Sequence, residues 1–227
     1  MTKHLKRTVF VFLFVVSSLL NQTGITLAQA GSSPAQNGFY NQLADSAFTL
    51  TKQRVKYDPA YFKISYPNGD VPADKGVCTD VVIRAYRKLG IDLQKEVHED
   101  MRNNFNKYPK NWGLSRPDRN IDHRRVPNLM TFFTRHGTVK KISQKAEDYE
   151  PGDIVCWNLG GGITHIGIVS NKKTADRQRH LIIHNIGAGQ VLEDCLFRFK
   201  IIGHYSYRWV SAEIKIEQTE NRMFIYH

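Results

Sequence analysis

Pro151-Gly152-Asp153-Ile154-Val155-Cys156-Trp157, Ile163-Thr164-His165-Ile166-Gly167-Ile168-Val169-Ser170 and Leu181-Ile182-Ile183-His184-Asn185 are the stretches whose reading decides the fold. The first is a turn running into a strand, and the other two are β-branched apolar runs that each carry one histidine. Gly160-Gly161-Gly162 separates the first two. It lacks the following lysine and helix of a phosphate loop and reads as a hairpin turn. The polar stretch 171–179 separates the second and third, which therefore read as an antiparallel hairpin that brings His165 and His184 onto neighbouring strands.

Upstream, Gly76-Val77-Cys78-Thr79-Asp80 sets a lone thiol at the start of a helix. Val81, Val82, Ala85 and Leu89 recur at helical spacing, Gly90 supplies a stop, and Arg84, Arg87 and Lys88 face elsewhere. A free thiol has a pKa of about 8.5, and the N–H groups and positive end of a helix N-terminus favour the thiolate. An imidazole beside it would complete an ion pair. A cysteine in this position with histidines on later strands has the parts of a cysteine nucleophile.

The remaining elements fall around these. Phe39, Leu43, Ala47 and Leu50 mark a helix within an N-terminal segment, 31–56. Tyr61 to Tyr66 alternates like a strand and ends at the turn Pro67-Asn68-Gly69-Asp70. Val97, Met101, Phe105 and Tyr108 line a further helix, and Leu129, Met130 and Phe133 another that ends at Gly137. From Val139 to Tyr207 the pattern is mostly strands. Helices first and a mainly antiparallel sheet after them is an α+β layout with the Cys78 helix against the sheet.

A chain of 227 residues with 41% hydrophobic and 23% charged residues fits one compact domain. Residues 1–30 read as a signal peptide: Lys3, Lys6 and Arg7 are basic, Val9 to Leu20 is a short apolar core, and Ala28-Gln29-Ala30 is a small-residue cleavage site. The expected destination is the bacterial periplasm or cell surface. Removing the three basic residues of this segment lowers the formal charge from +11 to +8. That balance suits an anionic wall polymer or membrane surface. No nucleic-acid motif accompanies it, so no nucleic-acid partner is expected. Of the three cysteines, Cys156 and Cys195 are either a disulfide or two small core residues, and Cys78 stays free in both cases. Zinc favours short ligand pairs such as Cys-x-x-Cys; Cys78, His123, His165 and His184 make none, so neither metal nor other cofactor is expected.

The order of these pieces, a cysteine opening a helix, Pro-Gly-Asp-Ile-Val, Thr-His-Ile-Gly-Ile-Val and then Ile-His-Asn, resembles the NlpC-like cysteine peptidases of the papain-like clan. More narrowly, the stretch from Tyr57 to Tyr207 resembles a bacterial domain of unknown function, number 1287, also described as YijF-like. Val71 to Asp80, Asn120 to Leu129 and the Gly187-Ala188-Gly189 turn carry that narrower likeness. The resemblance implies a papain-like domain over 57–210, followed by a tail, 211–227.

It also implies roles: Cys78 as nucleophile, His165 as base, and His184 as the polar third member, with Asn185 its substitute. Asp80, Asp122, His123 and Arg124 are candidate substrate contacts, Asn185 a further one, and Tyr66 is a candidate oxyanion donor beside the backbone N–H of Cys78. The expected activity is thiol hydrolysis of an amide through an acyl-enzyme, with peptidoglycan stem peptides as substrate. An acyltransferase or lipid-amide hydrolase of the same clan, and a non-catalytic wall-binding protein, are the alternatives.

Overall fold

The structure, a computed structural model, describes residues 34–209. The expected signal segment 1–30 and the tail 211–227 lie outside them. Helix α1 (Pro34–Leu50) comes first, then two-residue strands β1 (Lys56–Tyr57) and β2 (Lys75–Gly76) that pair in parallel. Helices α2 (Cys78–Arg87), α3 (Leu93–Asn104) and α4 (Val126–His136) follow. The rest is strand: β3 (Thr138–Val139), β4 (Ile154–Asn158), β5 (Thr164–Lys173), β6 (His180–Asn185), β7 (Gln190–Glu193) and β8 (Lys200–Ser206). These six form one antiparallel sheet in the order β3-β8-β4-β5-β6-β7. The α+β layout expected from the sequence is present.

Strand alternation divides the buried side chains between two cores. Ile154, Cys156, Ile166, Ile168 and Ile183 face α1, α2 and α4, where they meet Leu43, Val81, Val82 and Phe133. Val155, Trp157, Val169 and Ile182 face the other way, against Tyr149, Cys195 and Leu196. Both faces of the central strands are therefore covered, which is why β4, β5 and β6 read as nearly continuous apolar runs. The same alternation rules out the Cys156–Cys195 disulfide. The two sulfurs lie in different cores on opposite faces of the sheet, and all three cysteines are free thiols.

Two turns position the strands. Gly160, Gly161 and Gly162 all take positive φ in the loop between β4 and β5, as three consecutive glycines allow. Gly152, with φ +84°, lets the chain enter β4 against α1: a Cβ there would lie 2.4 Å from the Tyr40 carbonyl oxygen.

The stretch Tyr61 to Tyr66 is not a strand. Its groups are tied instead by side chains from elsewhere: Ile64 N–H donates to Asn120 Oδ1 at 3.1 Å, and Gln94 Nε2 donates to the Ser65 carbonyl at 2.8 Å. Alternation is present without a partner strand to pair with.

Helix α2 is buried along almost its whole length. Arg84 does not reach solvent as its spacing suggests. It donates to Asp70 and to the carbonyls of Val71, Pro72 and Lys75, pinning the segment that leads into Cys78. At the helix mouth, Asp80 Oδ2 accepts the Val77 N–H at 2.7 Å, as a third-position acid does in a capping box. The same carboxylate takes both Nε and Nη2 of Arg124, at 3.0 and 3.1 Å, and Arg124 goes on to the carbonyls of Ala60 and Asp58. Both side chains are almost wholly buried, at 3% and 2% exposure.

Removing one partner of such a pair leaves the other charged and buried, at a cost of about 3–5 kcal/mol. Arg124→Leu is therefore expected to lower the unfolding free energy by about that amount, read from urea denaturation. A loss below ~1 kcal/mol would show that the pair does not hold the helix mouth.

Candidate functional site

Cys78 is the first residue of α2, after Val77 in extended conformation. Its side chain is buried, and backbone N–H groups of Ile166, Thr79 and Cys78 itself are directed at the sulfur, each favouring thiolate. Burial outweighs them and pushes the thiol up to about 12. The helix terminus thus supplies the donors expected from the sequence, but the low pKa expected with them is absent, because desolvation in the apolar core is the larger effect.

The thiol meets β5 at the N–H of Ile166, the peptide bond that links it to His165. On β5, Ile166 faces the helices, and His165 faces the opposite core beside Trp157, its partner across β4, with ring centroids 5.8 Å apart. Among the described residues, no hydrogen bond joins the Cys78 sulfur to the His165 ring.

The two histidines meet as expected. His165 Nε2 and His184 Nδ1 are 3.0 Å apart, with the rings nearly perpendicular. His184 Nε2 lies 3.0 Å from Glu193 Oε2 and 3.4 Å from Cys195 Sγ. Glu193 Oε1 accepts from Arg198 Nη1. Glu193 sits on the edge strand β7, diagonal to His184, which faces Val191.

The chain of partners fixes the protons. Burial acts to raise the Glu193 pKa, but Arg198 and His184 overcome it and hold it below the usual range, so Glu193 is a carboxylate and only accepts. His184 then carries its proton on Nε2 and presents the Nδ1 lone pair. That lone pair accepts from His165 Nε2–H, which leaves Nδ1 of His165 as a free base. Burial, followed by His184, pushes His165 down to about 3, and burial lowers His184 against the opposing pull of Glu193. Both rings are neutral near pH 7.

The other predicted residues are placed as follows. Asp80 and Arg124 bind each other at the helix mouth, and Thr79 Oγ1 adds a bond to the Arg124 carbonyl at 3.2 Å. Asp122 is buried, accepts from Asp118 N–H and Arg125, and is pushed up to about 6, chiefly by burial. His123 is buried with Nδ1 unpartnered, and burial drives it down to about 3. All four of these polar residues are buried. Asn185 donates to the Gly76 carbonyl at 3.3 Å and accepts from Gly187 N–H, tying β6 to the segment before Cys78.

Tyr66 packs edge-on against His98, with Arg119 over its ring. Tyr57, which the sequence reading passed over, lies close enough to Cys78 and Asp80 that their charges, after burial, raise its hydroxyl pKa. Its β1 position opposite Gly76 puts it there. Glu193 and Cys195 were missed as well. The signal available was their spacing of two, at the end of and just past the strand next to the one that carries His184.

No solved structure matches the chain. Over 165 residues, 73% of this chain and 80% of the other, it is 53% identical to the "Uncharacterized protein YijF" of Escherichia coli (strain K12). Residues 44–207 match the family described as "Domain of unknown function (DUF1287)", and the chain belongs to that family.

Proposed function

We propose that the protein is an exported thiol hydrolase on a papain-like fold of the NlpC kind, cleaving an amide bond of peptidoglycan stem peptides through an acyl-enzyme on Cys78. The observation that carries this reading is the pairing of two features. A helix-mouth thiol is ringed by three N–H groups, and the adjacent strand position carries a neutral imidazole with a free Nδ1, backed by His184 and Glu193.

The electrostatics favour general-base chemistry over a resting ion pair. With the thiol raised and His165 lowered, both partners are neutral before substrate arrives. As the sulfur attacks the carbonyl carbon, its proton passes to His165 Nδ1 through a water at the start of β5, because the ring faces the opposite core from the thiol, and the imidazolium is stabilised through His184 by Glu193. The same proton passes to the departing amine, leaving a thioester on Cys78. His165 then takes a proton from water, whose oxygen displaces the sulfur and releases the acid, and the proton on His165 returns to the sulfur.

The oxyanion is held by the Cys78 N–H and by the Tyr57 hydroxyl. The basic surface, +8 after loss of residues 1–30, draws the protein to the anionic wall. Asp80, Arg124 and Asn185 serve to hold the site in shape.

Peptidoglycan incubated with residues 31–227 is expected to yield new muropeptides by mass spectrometry. Cys78→Ala and His165→Ala should lower the rate by about 10²–10⁴-fold, and Tyr57→Phe by about 10²-fold. Unchanged muropeptides with the wild-type protein would defeat the wall substrate.

Because the resting thiol is protonated well above neutral pH, its alkylation by iodoacetamide should climb about tenfold per pH unit from pH 6 to 10 without levelling. A plateau beginning below pH 8 would mean that a Cys78–His165 ion pair already exists in the free protein.

A further inference from the structure

On the sheet face away from Cys78, three donors of different chemistry converge on one point: His184 Nε2, a Glu193 carboxylate oxygen and Cys195 Sγ, all within 4.8 Å of one another. The imidazole nitrogen is 3.0 Å from Glu193 Oε2 and 3.4 Å from the sulfur. A tetrahedral Zn²⁺ bound at about 2.0–2.3 Å keeps its ligands roughly 3.3–3.7 Å apart, so the two pairs that include His184 are near that spacing and the Glu193–Cys195 pair, within 4.8 Å, has at most about 1 Å to close.

The surroundings fit as well. The far nitrogen of His184 is held by His165, and the far oxygen of Glu193 by Arg198, the kind of outer hydrogen bonding that orients metal ligands. Arg198 is also the nearby positive charge that weakens cation binding. Beside the sulfur, a cavity of about 310 Å³ lined by Asp194, Cys195, Phe197 and Arg198 offers a way in. The short ligand pair that Cys and His alone do not make is Glu193-x-Cys195, at the end of the edge strand β7 and just beyond it, completed by His184 from the next strand.

The geometry points to a zinc site formed by His184, Glu193 and Cys195, open at its fourth position, whose filling switches off the Cys78 site. The inhibitory half rests on the hydrolase reading above; the binding half does not.

Inhibition follows from proton placement. Zinc on Nε2 of His184 displaces the proton there, and a neutral His184 must then carry its proton on Nδ1. It donates to His165 Nε2, so the proton of His165 moves to Nδ1, the nitrogen that has to accept from Cys78. The proton displaced from His184 is balanced by the one gained in this shift, so the net release is one proton, from the Cys195 thiol, as zinc binds the thiolate.

Cobalt(II) is the probe for the binding half. Added to the chelator-treated protein, it should give a thiolate-to-cobalt charge-transfer band with the visible bands of a four-coordinate ion. Cys195→Ser should lose the charge-transfer band, Cys78→Ser should keep it, and Glu193→Gln should weaken binding at least tenfold, each with a native thermal melt. No thiolate band in the folded wild type, or a band that follows Cys78 instead of Cys195, overturns the site.

For the inhibitory half, Zn²⁺ should slow muropeptide release at least tenfold in the wild type and leave Cys195→Ser unaffected. Equal turnover with and without zinc, in a protein that binds cobalt through Cys195, overturns that half. A protein with a cobalt band and no turnover at all instead refutes the hydrolase reading and leaves the site standing.

Discussion

The Asp80 carboxylate is the hinge of the structure. It caps α2 through Val77 N–H and holds Arg124, which in turn holds the carbonyls of Asp58 and Ala60. Two segments distant in sequence, 58–60 and the one that carries Arg124, are thereby tied to the helix mouth at Cys78. A charge at that depth is tolerable because both of its oxygens have donors, three bonds in all. The position of the thiol is therefore fixed by electrostatics and hydrogen bonding as much as by apolar packing, and the desolvation that raises its pKa is a by-product of the same burial.

Desolvation also explains the division of labour across β5. One residue faces the helices and carries no charge; its neighbour faces the second core, where a histidine, a second histidine and a glutamate are lined up with a single way of distributing their protons. The strand is the partition between them, and its backbone N–H at Ile166 is directed at the Cys78 sulfur.

Much of this was legible in the sequence because it rests on local periodicity. The helix opening at Cys78, the hairpin bearing His165 and His184, the glycine turn and the α+β order all follow from spacing and turn chemistry. What was illegible depends on long-range partners. Tyr61 to Tyr66 alternates like a strand, but only the fold reveals that Asn120 and Gln94 occupy its backbone. Arg84 looks like a surface residue until Asp70 and three carbonyls are folded around it. Glu193 looks like an exposed strand acid until β7 is paired with β6. The thiol pKa was misjudged for the same reason: the helix terminus is written in the sequence, whereas the depth of its burial is not.

Strand β7 is one of the two edge strands of the sheet and only four residues long. An edge ladder of that length is among the first to open in native-state fluctuations. Each opening carries Glu193 away from His184 and lets the two imidazoles exchange tautomers. The persistence of the ordered proton arrangement is thus tied to the pairing of the edge of the sheet rather than to its centre.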